Sequence, residues 1–348
     1  MKSIPIIIIN WNGIEDTKEC IASVLELCNV QFHIHLIDNN SGGNEGSLLE
    51  SKYELNSNIT VYKYSENYGF AGAHNKIWQD ILSVEDIDYV ALLNNDTTVD
   101  PEWLIQLVIS AQEHKAQVIA SKMIQYYKRE LLDNAGHQVI STGEIVPIGH
   151  NQPIGDNNIP LSNSGACGGG CLYEAQMIKE IGFFDSHFKT GYEDAEFGVR
   201  ALILGKKTIY SPKAVLYHKG GKSIKKVFDN RYAIHTQRNI LYTFFKLFPL
   251  IQIIFYYPII LFKSLVTIIV SLIFLKWNNA KILIKAHVEF ILNDFYKAIQ
   301  ARKMLNENHK FDNLMTFYRS QKPFGSFELN RLYTYLILRK PSALDKYR

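Results

Sequence analysis

The chain has 348 residues, 47% of them hydrophobic and 20% charged, which excludes a disordered chain and is too long for one minimal core. One large domain with an appendage, or two domains, is expected. The formal net charge of +3 is unevenly divided: residues 276–348 carry 14 Lys/Arg against 6 Asp/Glu, the remainder 23 against 28. Basic charge gathered in a tail rather than around a cleft argues against a nucleic-acid enzyme. Cys20, Cys28, Cys167 and Cys171 show no Cys-x-x-Cys spacing and no His pair to complete a zinc site. Reduced, structural cysteines in a cytosolic compartment are the reading.

The first apolar run, "IPIIIIN" at 4–10, is short and ends at Asn10, so it reads as a strand rather than a signal peptide. Runs at 32–38, 59–64, 89–94 and 117–123 also predict strands, and segments near 16–27, 71–84 and 101–114 predict helices, with Pro101 suited to a first helical turn. Continuous rather than alternating hydrophobicity marks strands covered on both faces, hence a mostly parallel sheet with crossover helices. Ligands bind such sheets at the C-terminal strand ends. Those ends carry Asn10-Trp11-Asn12, Asp38-Asn39-Asn40-Ser41 and Asn94-Asn95-Asp96.

Residues 128–165 read as loop. A glycine-rich approach then leads into a helix ending near Gly182, and "GYEDAEFGVRALILGKK" predicts another helix, followed by two short extended runs and a basic glycine loop. Residues 247–275 hold one charge, Lys263, and two prolines, Pro249 and Pro258. A membrane span needs about 20 apolar residues. The prolines and Lys263 disfavour a straight span, so interfacial membrane association is preferred over a crossing or a buried core. The basic tail supports it, since each Lys or Arg near an anionic leaflet contributes about 1 kcal/mol.

Several polar residues have both a structural and a chemical reading. Asp38 suits a turn or helix cap, or a carboxylate receiving a nucleotide's base or ribose. "ENYGFAGAHN" places small residues at a helix start, where a backbone can approach a phosphate, yet it is neither Gly-x-Gly-x-x-Gly nor a Walker loop. Asp96 could cap the following helix. It could also hold a cation, because a diphosphate brings oxygen ligands of its own and the protein need add only one or two groups. His218, at a strand end before "KGGKS", is the candidate second ligand. Glu193, Asp194 and Glu196 either complement a helix dipole or supply a general base, and the residues alone leave that open.

The set and order of nine segments resemble glycosyltransferase family 2, particularly rhamnosyltransferase-like members that build bacterial surface polysaccharides. They are "IIIINWNG", "LIDNNSGG", "NYGFAGAHN", "LLNNDTTVDPEWL", "LLDNAGHQV", "GACGGGCLYEAQMIKEIGFFDSHF", "GYEDAEFGVR", "VLYHKGGKS" and "QRNILY". They cover residues 4 to about 243. The resemblance implies a GT-A fold, α/β and Rossmann-like, over 1–243, with a nucleotide-sugar half at 1–125 and an acceptor half at 126–243. Residues 244–348 would form a helical, membrane-associated region.

It further implies an inverting enzyme using a nucleotide-diphosphate sugar and a divalent cation, Mn2+ or Mg2+. Asn10 and Asn12 would line the nucleotide pocket, Asp38 would contact the base or ribose, Asn95 would bind the nucleotide sugar, and Asn67, Gly69, Phe70 and Ala71 would support the nucleoside and sugar-phosphate. Asp96 and His218 would bind the metal. Asp194 would be the base and Glu193 would hold sugar hydroxyls. Lys222 and Arg238 would face the departing diphosphate, and Gly220-Gly221 would let that loop close. Asn94 stands where an acid is more familiar, Glu196 where Asp is commoner, and Ala73 where Gly is commoner.

The expected acceptor is a glycan or lipid-linked glycan at the cytoplasmic face of the bacterial inner membrane, where the protein would be peripheral. A homo-oligomer is compatible with this reading. The alternative from another class is a catalytically silent GT-A scaffold in a polysaccharide-assembly complex.

Overall fold

The computed structural model describes residues 2–84, 86–155, 161–220, 230–308, 314–325 and 328. They fall into two compact units: Met1–His137 with Pro147–Lys226, and Gln138–Val146 with Val227–Arg348.

The first unit is built on a nine-stranded sheet. Its first strands are β1 (Ile4–Asn10), β2 (Phe32–Asp38), β3 (Ile59–Lys63) and β4 (Tyr89–Asn94). These form the parallel set β3-β2-β1-β4, in register from Ile4 opposite Phe32 to Asn10 opposite Asp38. The helices are α1 (Ile14–Leu25), α2 (Glu45–Tyr53), α3 (Gly69–Val84) and α4 (Trp103–His114). Ile6 and Ile8 pack with Cys20, Ile21, Trp103 and Leu107, while the alternate residue Ile7 is equally buried, so β1 is covered on both faces. That is why its pattern is continuous. The indole N–H of Trp103, buried in this core, donates to Ser121 Oγ at 2.8 Å.

The second half of the sheet adds β5 (Thr97–Val99), β6 (Val118–Gln125), β7 (Lys128–Asn134), β10 (Gly170–Glu174) and β11 (Thr208–His218), giving the order β3-β2-β1-β4-β10-β6-β11-β5 with β7 paired to β6. β10 enters antiparallel between β4 and β6. Its first residue, Gly170, packs closely: a Cβ there would lie 2.1 Å from the Leu216 side chain. Helices α5 (Ala175–Ile181) and α6 (Glu193–Ile203) follow, and Gly182 (φ +75°) ends α5 as expected.

Local differences from the sequence reading have physical reasons. Residues 128–165, read as loop, contain β7 and the two-stranded ribbon of β8 (His137–Val139) and β9 (Ile145–Pro147). β8 and β9 are only three residues long, and the turns around them carry Gly136, Gly143 and Gly149, so the stretch reads as loop. The two extended runs near 208–218 are one strand with a register shift between Ser211 and Val215. Pro101 lies in the turn before α4 rather than in its first helical turn.

The second unit is helical: α7 (Asn230–Leu247), α8 (Leu250–Ile273), α9 (Trp277–Glu289), a π-turn (Phe290–Asp294), α10 (Phe295–Asn308) and α11 (Leu314–Ser320). The boundary expected near 243 falls inside α7, because Ile240 to Leu247 are buried with α9 and α10 of this unit. Phe244, Phe248, Phe290 and Phe317 form its core, with Phe244 and Phe248 rings 4.8 Å apart. α8 runs unbroken through Pro258 for 24 residues and is long and apolar enough to cross a membrane. Most of its surface is open: Ile251, Phe255, Phe262 and Ile273 are 65–69% exposed.

Candidate active site

The parallel strands deliver their polar ends to one edge, where they are cross-linked. Asn10 Nδ2 donates to Asp38 Oδ1 at 2.9 Å and to Glu45 Oε2 at 2.9 Å, and Asn10 Oδ1 accepts from Thr17 Oγ1 at 2.7 Å. Asn95 Nδ2 reaches the same Thr17 oxygen at 2.9 Å. Asn12, with φ +52°, accepts the Gly42 N–H at 2.7 Å. Asn10, Asp38 and Asn95 therefore belong to one hydrogen-bonded frame. Asp38 is 5% exposed and also receives the Ser41 N–H, so much of its capacity holds the loop after β2 in shape.

The 67–71 stretch forms the entry to α3. Asn67 Oδ1 accepts from Gly69 N at 2.8 Å and from Asn39 Nδ2 at 3.1 Å, tying this turn to the β2 loop. Gly69 has φ +69°, and a Cβ there would lie 2.2 Å from the Lys189 carbonyl oxygen. Only glycine fits. Phe70 donates its N–H to that carbonyl at 2.8 Å and packs its ring on His74 at 4.2 Å, with Ala71 fully buried beside it.

Asp96 follows β4, in the turn into β5. Because β5 pairs antiparallel with β11, with Thr97 opposite His218, the chain brings Asp96 and His218 together across the sheet edge. Asp96 Oδ1 lies 3.3 Å from His218 Nε2, and His218 Nδ1 lies 2.7 Å from Asp133 Oδ2. Burial would lower the His218 pKa, but hydrogen bonds and charge from Asp133 and Asp96 outweigh it and raise it to about 10. Asp133 is held well below the usual carboxylate range: burial opposes this, and contacts from His150 and His218 prevail.

This pair fits a divalent cation. Adjacent ligands at ~2.1 Å in an octahedron lie about 3 Å apart. A carboxylate behind the second ring nitrogen is the usual support of a metal-bound imidazole. A cation and the proton on His218 are alternatives for the same space.

The glycine-rich approach to β10 connects this turn to the acidic cluster of α6. Gly169 O accepts the Asn94 N–H at 3.0 Å, and Gly168 N donates to Asp194 Oδ2 at 2.8 Å. Asp194 Oδ1 also accepts the Ala195 N–H at 2.7 Å, so the carboxylate is fixed by two backbone donors. Glu193 is 5% exposed, and burial together with the Asp194 charge raises its pKa to about 8. Its Oε2 has no hydrogen-bond partner among the described residues. Glu196 is different: fully buried, it pairs with Arg200 at 3.0 Å, and Arg200 also donates to the carbonyls of Ile181, Gly182 and Phe183. It closes the core beneath α6.

The family model described as Glycosyl transferase family 2 matches residues 6–182, more than half of the chain. The chain belongs to glycosyl transferase family 2.

A comparison with curated protein sequences finds no match. Among solved structures, the chain is similar to GalNAc-T7 crystallised with UDP, GalNAc and Mn2+, at TM-score 0.54 and 14% identity over 70% of this chain and 47% of that one. It is also similar to residues 1–349 of S. aureus TarS with UDP-GlcNAc, at TM-score 0.50 and 17% identity over 71% of this chain and 67% of that one. The chain thus spans about half of the GalNAc-T7 chain and two thirds of the TarS chain. At these identities the likeness concerns the fold. The architecture of this family 2 chain is GT-A, with a C-terminal helical region.

Lys222 and Gly221 lie outside the described residues. Arg238 is in the helical unit, where Asp294 (2.7 Å) and Glu289 (2.8 Å) take up its guanidinium. Two carboxylates from the π-turn and the end of α9 give it a local structural task that sequence spacing could not show.

The structure also adds residues that sequence reasoning passed over. Asp133 lies in the segment "LLDNAGHQV" but has no role in the sequence reading, and Glu45 lies just beyond "LIDNNSGG". Lys219, read as part of a basic loop, instead anchors the end of β11 to α1 through Asp16 (2.6 Å) and Glu19 (2.5 Å). A further grouping, His137, Cys167 and Asp194, brings ligand-type atoms within 4.8 Å of one another.

Proposed function

We propose that this family 2 enzyme is an inverting, rhamnosyltransferase-like glycosyltransferase of bacterial surface-polysaccharide synthesis. It transfers a sugar from a nucleotide-diphosphate donor to a hydroxyl of a glycan or lipid-linked acceptor. The observation that carries this reading is the Asp96 and His218 pair, 3.3 Å apart and backed by Asp133, at the strand edge that also holds Asn10 and Asp38.

Asp194 takes the acceptor's proton while the acceptor oxygen attacks the anomeric carbon opposite the leaving diphosphate, so the configuration inverts. The two backbone N–H groups on Asp194 aim its carboxylate before substrate arrives. Glu193, protonated near neutral pH, donates a hydrogen bond to a sugar hydroxyl. Asn10, Asn12, Asp38 and Asn95 frame the nucleotide, and Asn67, Gly69, Phe70 and Ala71 form the wall beside it. A bound Mn2+ or Mg2+ supplies charge neutralisation at the diphosphate, with Asp96 and His218 as its protein ligands. Lys222 is assigned to the leaving phosphate on sequence grounds alone. UDP sugars are the first donors to try, because the GalNAc-T7 and TarS structures hold UDP or UDP-GlcNAc.

The exposed apolar face of α8 and the basic tail support peripheral attachment to the cytoplasmic face of the inner membrane. The test is nucleotide release from a panel of nucleotide sugars by the full-length protein with lipid-linked acceptors, with Mn2+ or EDTA. Asp194→Asn should lose at least ~100-fold in rate. Wild-type turnover by that variant would overturn the base assignment, and turnover indifferent to EDTA would overturn the metal.

A further inference from the structure

The acidic start of α6 meets two other ligand-type side chains, and the backbone around it explains why. His137, the first residue of β8, donates its N–H to Gly165 O at 2.8 Å and accepts from Ser164 N at 2.7 Å. Gly165 in turn packs on α6: a Cβ added to it would lie 2.7 Å from the Gly198 Cα, so the two backbones approach as only glycines allow. Cys167 stands two residues further on, and the next residue, Gly168, donates its N–H to Asp194 Oδ2 at 2.8 Å. Three segments distant in sequence thus place a ring nitrogen, a thiol and a carboxylate oxygen within 4.8 Å of one another.

The donor set selects the ion. Nitrogen, sulfur and oxygen together suit Zn2+, whereas Mn2+ and Mg2+ favour oxygen. Ligand atoms on one tetrahedral zinc lie ~3.5 Å apart, so an ion would draw these together by about 1 Å. Asp194 is the fixed member, held by the Gly168 and Ala195 N–H groups. Those two bonds use one lone pair on each oxygen and leave acceptor capacity for a metal. Cys167 and Asp194 are half-buried, which gives an ion an approach from solvent, while His137 is 7% exposed. Burial, then the Asp194 charge, raise the Cys167 thiol well above its ordinary pKa, so zinc has to displace its proton. Once it does, the carboxylate that opposed the thiolate becomes a ligand of the same cation.

We propose that His137, Cys167 and Asp194 bind Zn2+ through one nitrogen, one sulfur and one oxygen, with water in the fourth position, and that zinc there inhibits transfer by occupying Asp194. The binding stands on the cluster alone. The inhibition rests on the assignment of Asp194 as the base in the reaction proposed above.

Full-length protein in a non-ionic detergent, reduced and then freed of thiol reductant, is titrated with Co2+, which fills zinc sites and gives a thiolate-to-metal charge-transfer absorption. The band is expected to appear and to be displaced by Zn2+. It should vanish in Cys167→Ser and Cys167→Ala and need at least tenfold more Co2+ in His137→Gln, while Cys28→Ser leaves it unchanged. No band, a band that survives both Cys167 variants, or wild-type affinity in His137→Gln would overturn the site. Nucleotide release in excess Mn2+ reads the consequence. Half-inhibition should need at least tenfold more Zn2+ in Cys167→Ser than in wild type, each rate taken relative to that protein's zinc-free rate, and equal sensitivity would overturn the inhibition. Wild-type protein that binds Co2+ through Cys167 yet releases no nucleotide from any donor would count against the transfer reading and not against the site.

Discussion

Asp133 holds His218 by a 2.7 Å contact to Nδ1, leaving Nε2 directed at Asp96 3.3 Å away. The ring is therefore oriented from behind by a residue of β7, within the segment "LLDNAGHQV", to which the sequence reading gave no role. Such a supporting carboxylate sets the tautomer and basicity of a ligating histidine, and its loss costs ~10–100-fold in metal affinity. Asp133→Asn is expected to raise the Mn2+ concentration for half-maximal nucleotide release by that factor, with saturating turnover less affected. A metal titration of wild type and variant checks it, and an unchanged midpoint would remove Asp133 from the metal site.

Gly69 tests the wall beside the proposed donor. At its φ of +69° an added Cβ would come within 2.2 Å of the Lys189 carbonyl oxygen, which leaves no space for a methyl group. Gly69→Ala should destabilise the protein by more than ~1 kcal/mol and raise the donor KM. Denaturant melts and donor titrations read the two effects separately. A wild-type midpoint would show that the turn relaxes freely.

His35 and His74 give a pH dependence independent of any metal. Burial, joined by the neighbouring His33, lowers His35 to about 4, and burial lowers His74 to about 4 against a backbone contact to Phe70. Both therefore stay neutral in the folded protein where an unfolded histidine, near 6.5, takes a proton. Folding is favoured above pH 6.5, and this contribution is lost as pH falls from 6.5 towards 4. Each site contributes on the order of 3 kcal/mol at most. Urea melts at pH 7 and pH 5 should differ, and His74→Gln should narrow the difference. A variant with the full wild-type difference would contradict the assignment.

The outward face of α8 predicts membrane partitioning. Phe255 and Phe262 are 65% and 68% exposed, so Phe255→Glu with Phe262→Glu places two charges where an apolar surface is proposed to meet lipid. Flotation with vesicles containing phosphatidylglycerol should fall at least severalfold in the double variant and also on raising salt, since the basic tail contributes electrostatically. Unchanged flotation would exclude α8 as the contact.

The continuous apolar runs of β1, β2 and β4 were enough to determine a sheet covered on both faces, because successive strand side chains point to opposite faces and an unbroken apolar run needs cover on both. For the same reason Asn10, Asp38 and Asp96 could be read as strand-end residues at one edge, whereas Gly69, read as a close approach to a ligand, in the structure makes room for the Lys189 carbonyl. Tertiary structure alone decided what these residues touch. The antiparallel β5–β11 pairing that brings Asp96 to His218, the Asp133 carboxylate behind it, and the Gly168 N–H on Asp194 join segments 26 to 122 positions apart. No local propensity encodes such distances. Arg238 shows the converse: its charge was legible, but its partners Asp294 and Glu289 depend on how α7 packs within the helical unit. Burial pattern is written along the chain, whereas the chemistry of a site depends on which distant segments the packing brings into contact.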